Sequence, residues 1–279
     1  MIDSITGLDH VVVNVAERMD AVADAYRRLG FQLTPRGFHS LGTINHLIIF
    51  QHDYLELLGY PPGQPPAGLS ALVEGELGLV ASALASRDAT RVHRQAQAAH
   101  IPVFEPLDFS RPVALPDGER EAAFRVTRLD PDFTAGMALF VCEHRTPELV
   151  WRPEWQDHPN GVTAIAFVSV VVPDPVSAVK PYTRLFGEDG VQPMDGGVRL
   201  DMGQVRLELI DAAALARRAP DLGPDTRRTA YPAILGLRVR DLDTTARYLR
   251  DQGITVHETD NRLQVGTTEA GGVILAFEA

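Results

Sequence analysis

Apolar and polar positions along this chain follow a pattern that repeats four times. Residues 7–15, GLDHVVVNV, form an apolar run of strand character. Val22, Tyr26 and Leu29 follow at helical spacing, and Gly30 then stops the helix as a left-handed cap residue does. FQLTP is extended, and NHLIIF and YLELLGY read as two further strands. The order is strand, helix, strand, strand, strand. It recurs as LGLVASAL, TRVHRQAQAAH, IPVFEPL, EAAFRVTRL and GMALFVCEH. A third round is TAIAFVSVVV, PVSAVKPYTRLFG, VQPM, VRLDMG and QVRLELI. The fourth is ILGLRV, DTTARYLRDQG, ITVHET, RLQVGTT and GGVILAFEA.

A single βαβββ unit leaves one sheet face apolar and both edges open. Pairing two units buries that face and curls the sheet into a cup. Four units therefore predict an α+β fold of two paired domains. The stretch TPELVWRPEWQDHPNG, residues 146–161, is rich in proline and polar residues and makes the natural break. It gives domains 1–158 and 159–279. PPGQPPAG, residues 61–68, carries four prolines and is expected to link the first two units stiffly.

Glu56 breaks the pattern. It lies within HDYLELLGY, where a lone buried charge costs several kcal/mol of desolvation. Either this is an edge strand with one wet face, or the carboxylate holds something positive. Strand alternation puts His10, Val12 and Asn14 on one face, and Tyr54, Glu56 and Leu58 on another. If both faces look into the cup, an imidazole and a carboxylate converge there. They would form a buried His–Glu hydrogen bond or supply nitrogen and oxygen donors to a divalent metal.

Paired modules opened by LDHVVVNV and closed by YLELLGY resemble the vicinal oxygen chelate superfamily. RGFHSLGTINHLIIF, YLELLGY and HRTPELVWRPEWQDHPNG together resemble its glyoxalase-like domain proteins. The resemblance implies four βαβββ modules paired into two glyoxalase/bleomycin-resistance/dioxygenase-like domains. That superfamily includes glyoxalases, epimerases, extradiol dioxygenases and metal-free drug-sequestering proteins, so it determines fold better than activity. It further implies that the first and last strands of a module supply metal ligands, here His10 and Glu56. The second module departs from this: LGLVASAL has no histidine, and Ser82 is its nearest polar residue. Its closing strand has Glu143 and His144 side by side, and only one of them can face inward. Matching the prolines that follow places Cys142 opposite Glu56, with His144 on the same face, and the family stretch HRTPELVW also points to His144. The implied metal set is His10, Glu56 and His144, with open positions for water or substrate. It suits iron, manganese, zinc or nickel. The missing fourth ligand leaves a metal-free binding pocket as the alternative.

Glu56 and His39 are the candidate catalytic bases, His39 lying in the turn-rich segment RGFHSLGTIN, where the other reading is a surface loop. Asn14, Asn45 and Trp151 are candidate substrate contacts. Asn45 and His46 point oppositely, so at most one of them faces the cup. Trp151 and Trp155 either wall the cup or staple the two domains. His93 and His100 are expected on the solvated side of a helix. The C-terminal half has Glu208 placed much as Glu56 is, and Glu278 near its end. Its opening strands carry no histidine. It therefore reads as structural, or as lending substrate contacts. This lowers the dioxygenase reading, because four-module extradiol dioxygenases use histidines from those strands.

Composition narrows the rest. A net charge of −11 argues against a nucleic-acid partner. No membrane span or signal peptide is visible, and the single cysteine, Cys142, fits a reducing cytoplasm. No dinucleotide fingerprint, phosphate loop or nucleophile elbow occurs. A small-molecule ligand is the expected partner, with a homodimer as a further option. The reading that results is a metal-dependent lyase or isomerase working through an enolate. The alternative is a metal-free sequestering protein of the bleomycin-resistance kind.

Overall fold

The computed structural model describes residues 1–66, 70–73, 75–115, 118–223, 227–259 and 261–279. The end of the expected 61–68 linker lies outside them. The first repeat forms β1 (Gly7–Ala16), α1 (Met19–Arg28), β2 (Gly37–Phe38), β3 (Ile44–Ile49) and β4 (Tyr54–Gly59). A short helix, α2 (Ser70–Val73), leads to β5 (Gly78–Ala85), α3 (Ala89–Ala98), β6 (Leu107–Leu115), β7 (Gly118–Arg128) and β8 (Ala138–His144). The third repeat forms β9 (Val162–Val171), α4 (Pro175–Ala178), α5 (Lys180–Phe186), β10 (Gln192–Met194), β11 (Gly197–Met202) and β12 (Val205–Ile210). After α6 (Ala212–Arg218) come β13 (Tyr231–Val239), α7 (Leu242–Asp251), β14 (His257–Thr259), β15 (Arg262–Val265) and β16 (Ile274–Glu278).

The strands make two mixed sheets of identical plan. Their orders are β2-β3-β4-β1-β5-β8-β7-β6 and β10-β11-β12-β9-β13-β16-β15-β14. In each sheet the opening strands of the two modules run antiparallel at the centre, and each is parallel to the closing strand of its own module. Modules one and two thus share one sheet, and modules three and four share the other. No helix among the described residues is long and apolar enough to cross a membrane.

Alternation sorts each strand into two faces. Val11, Val13 and Val15 of β1 pack with Leu55 and Leu57 of β4 and with Met19, Val22 and Tyr26 of α1. The same continuous core takes in Ile165, Val168, Leu207 and Leu235 of the second sheet. The two halves are therefore built on common apolar packing. Gly30 marks one close approach between them. Its φ of +86° suits glycine, and a Cβ there would lie 2.5 Å from the Tyr248 ring. The segment joining the halves is tied down rather than loose. His158 accepts from the Gln32 N–H (3.0 Å) and lies 2.9 Å from the Ile49 carbonyl, while Asn160 donates to the Leu29 carbonyl (2.9 Å).

Three local expectations differ. FQLTP is not a ladder strand; Thr34 instead exchanges bonds with Leu47 through its amide and hydroxyl, and the edge strand is the two-residue β2. IPVFEPL forms only an isolated bridge from Val103 to Leu129, and the strand proper starts at Leu107. His93 is buried, because Ala89, Val92, His93 and Ala96 make the i, i+3, i+4, i+7 stripe of α3. The outer face of the first sheet curls until its edges meet, where the Ser40 amide donates to the Ser110 carbonyl at 3.2 Å.

Candidate functional site

The concave face of the first sheet encloses a cavity of about 90 Å³. Apolar residues make most of its wall, including Leu47, Leu58, Phe109, Phe124, Val126 and Phe140. The polar groups facing it are few: His10, His39, Thr43, Asn45, Tyr54, Glu56, Arg111, Arg128 and Cys142.

His10 and Glu56 come together as their strand faces require. Val12 is registered with Glu56 across the parallel β1–β4 pair, and His10 with Tyr54. His10 Nε2 lies 3.6 Å from Glu56 Oε2. The Tyr54 ring stacks on the imidazole at 4.3 Å and fixes its plane. Behind the ring, His10 Nδ1 contacts Asp9 Oδ1 at 2.6 Å. Neighbours on a strand should face opposite ways, but Asp9 is the extra residue of a bulge. The β1–β5 register steps from Leu8 to His10 against Leu84 to Ala83. The bulge turns Asp9 toward the histidine, a common use of bulges beside sites. Asp9 Oδ1 also lies 3.0 Å from His144 Nε2. Burial opposes ionisation of Asp9, but the charges and hydrogen bonds of His144 and His10 outweigh it and hold its carboxyl well below the usual range.

Glu56 is only 8% exposed. Its Oε1 accepts from Asn45 Nδ2 at 2.7 Å, so Oε2 is the oxygen turned toward His10. The other Asn45 N–H donates to His39 Nε2 (3.2 Å), which leaves the His39 proton on Nδ1, facing Thr43 Oγ1 at 2.7 Å. Burial lowers the His39 pKa to about 4, against the opposing charge of Glu56. Gly37 of β2 keeps this array in place, because a Cβ there would lie 2.3 Å from Asn45 Oδ1.

The remaining expected residues lie elsewhere. His144 does face inward from β8, but it stands behind Asp9, against the Trp151 ring at 4.5 Å, and does not border the cavity. Trp151 packs on His144 and on Tyr54, outside the cavity wall. Asn14 bonds the Gly75 and Glu76 carbonyls and the Ala16 amide, bracing the turn before β5. The strand registers make Ala81 the counterpart of His10 and Phe140, rather than Cys142, the counterpart of Glu56. Sequence reasoning passed over two residues of the site. Asp9 was hidden by the bulge. Arg111 sits in the alternating run Leu107, Phe109, Arg111, Val113, the same signal that singled out Glu56.

For a divalent ion, His10 Nε2 and Glu56 Oε2 are spaced as two ligands about 2.0–2.2 Å from one centre would be. Asp9 is the outer carboxylate that metal-bound histidines commonly carry. These donors fit a two-ligand seat, and the second module adds only Ala81 and Phe140. Separately, Asp9, Cys142 and His144 offer three ligand atoms within 4.8 Å of one another, the only such group among the described residues. Burial pushes the Cys142 thiol well above its usual range, which opposes its use as a thiolate ligand.

The cup of the second sheet is filled differently. Phe167 holds the position of His10, with the Arg206 and Arg262 guanidinium groups 5.4 and 4.5 Å from its ring centre. Glu208, the counterpart of Glu56, accepts from Ser169 (2.7 Å) and Arg218 (3.1 Å).

Paired βαβββ modules around such a cup define a protein of the vicinal oxygen chelate type. Residues 8–186 match the model of the glyoxalase-like domain, and the chain belongs to that family. No match was found among curated proteins. Among solved structures the chain is similar to a hypothetical protein from Staphylococcus aureus, with a TM-score of 0.67 and 15% identity over 97% of this chain and 98% of that one. It is also similar to a xylose isomerase-like TIM barrel/4-hydroxyphenylpyruvate dioxygenase fusion protein, with a TM-score of 0.61 and 16% identity over 98% of this chain and 49% of that one. A triple mutant of 4-hydroxymandelate synthase from Streptomyces coelicolor gives a TM-score of 0.58 and 11% identity over 98% and 92%. At these identities the likeness is one of fold.

Proposed function

We propose that the N-terminal cup binds a small oxygenated molecule and moves a proton on the carbon beside its carbonyl, as a lyase or isomerase does through an enolate. The carrying observation is the Asp9–His10 pair facing Glu56 across 3.6 Å in a mostly apolar cavity. Asn45 occupies Glu56 Oε1, so Oε2 is the oxygen free to take the proton. Asp9 accepts from His10 Nδ1–H and turns Nε2 to the substrate side, where it can hold or return a proton. His39 positions Asn45 rather than acting on substrate. Were a divalent ion held by His10 Nε2 and Glu56 Oε2 instead, those two atoms would be its ligands rather than proton carriers, and the ion would supply polarisation of the substrate oxygen and stabilise the enolate charge. The C-terminal half, with its acids already bonded, serves as scaffold.

A second reading, a metal-free binding protein, draws on Ala81 and Phe140 standing where a full ligand set would continue. One experiment separates the two. Wild-type protein, with and without added iron, manganese, zinc or nickel, is incubated in deuterium oxide with small ketones and hydroxyketones, and loss of the carbon-bound proton is followed by NMR. We expect exchange above the buffer rate, reduced at least ~100-fold in Glu56→Gln. Ketone binding without exchange under every metal condition would favour the binder.

A further inference from the structure

We infer that Arg111 is an anion anchor and that the ligand of the N-terminal cup is a small monocarboxylate whose carboxylate meets this guanidinium. The inference rests on the cup being the ligand site. Arg111 projects from β6 into the cavity and is 3% exposed. Its Nη2 is buried and has no hydrogen-bond partner among the described residues. Tyr54 and Glu56 are near enough to influence it electrostatically, but neither is among its ion-pair or hydrogen-bond partners. Guanidinium stays charged in proteins, and a buried charge without hydrogen-bonded compensation is costly. The arginines of the other cup show the contrast: Arg206 and Arg262 pair with Glu278, and Arg218 with Glu208.

The backbone opposite makes room for this side chain. A Cβ on Gly37 would lie 3.1 Å from Arg111 Cδ, so β2 carries glycine where the arginine passes. A planar fork with an unsatisfied buried N–H, on a side chain that lines an apolar cavity, matches a carboxylate. The cavity of about 90 Å³ limits the size of the ligand. About 10–15 Å³ of such space holds one water, so the cavity has room for several waters or for a short aliphatic acid. The apolar remainder would lie against Leu47, Leu58 and Phe124, within the same space as His10 and Glu56.

The test compares propionate with its neutral isostere, propionamide, by NMR titration of the full-length protein. Wild type should bind propionate about tenfold or more tightly than the amide, the margin of a charge-assisted hydrogen bond. Arg111→Gln should erase that preference, so that propionate binds no more tightly than the amide. Arg111→Lys, which keeps the charge but not the fork, should retain part of it and serves if the glutamine variant does not fold. Equal binding of the two probes by wild type, or no binding of either, overturns the inference. Retained preference in Arg111→Gln does so too. Glu56→Gln should keep the preference for propionate, so loss of proton exchange and loss of anion binding are read separately.

Discussion

Within the site, the pairing of an imidazole with a carboxylate follows from alternation, but its tuning does not. His10 and Glu56 were legible because each is a polar residue on the inner face of an apolar strand. Asp9 was not, because alternation assigns it to the opposite face, and only the bulge between Leu8 and His10 turns it back. If Asp9 orients His10, Asp9→Asn should lower the proton-exchange rate about 10–100-fold, the usual cost of losing an outer carboxylate. It should leave the fold intact, since the amide oxygen can still accept from both rings. Exchange rates alongside near-ultraviolet circular dichroism check this, and an unchanged rate would remove Asp9 from the mechanism. Arg111 was legible in principle, since an arginine within Leu107, Phe109 and Val113 carries the same signal as Glu56. It escaped because the strand was expected at IPVFEPL, several residues too early.

Among the elements, order was readable and exact placement was not. The four strand–helix–strand–strand–strand rounds emerge because each has its own apolar periodicity and a stop after its helix. The edge strands blur because little buries them: β2 is two residues long, and residues 101–106 contribute only one bridge. Contacts between elements far apart in sequence were invisible for the same reason. One of them makes a pH prediction. Asp53, just before β4, accepts from the Ile165 amide of β9 at 3.0 Å. Burial raises its pKa from 3.8 to about 7, against the opposing Ile165 hydrogen bond. The folded state therefore holds this proton more tightly than the unfolded chain. The stabilising contribution is full below about pH 4 and is lost as pH rises toward 7. Asp53→Asn keeps an acceptor for Ile165 and removes the titration. It should be more stable than wild type at pH 8, by up to about 4 kcal/mol, and similar to it at pH 4. Urea unfolding at the two pH values measures the difference, and a variant destabilised at pH 8 would contradict it.

At the scale of the molecule, two sheets lean on one core. Val11, Val13 and Leu57 pack in the same cluster as Ile165, Val168 and Leu235. Cutting the chain at the expected domain boundary would bare that surface. Residues 1–158 expressed alone should be insoluble or bind a hydrophobic dye without native near-ultraviolet signal. A soluble fragment that unfolds cooperatively would show that each half stands by itself. The curl of the first sheet has a different consequence. Its two rims touch between Ser40 and Ser110, with the smallest strand of the sheet on one side. Because His39 and Thr43 of the cavity wall flank the turn beside this shortest strand, loosening it would disturb the site and the closure together.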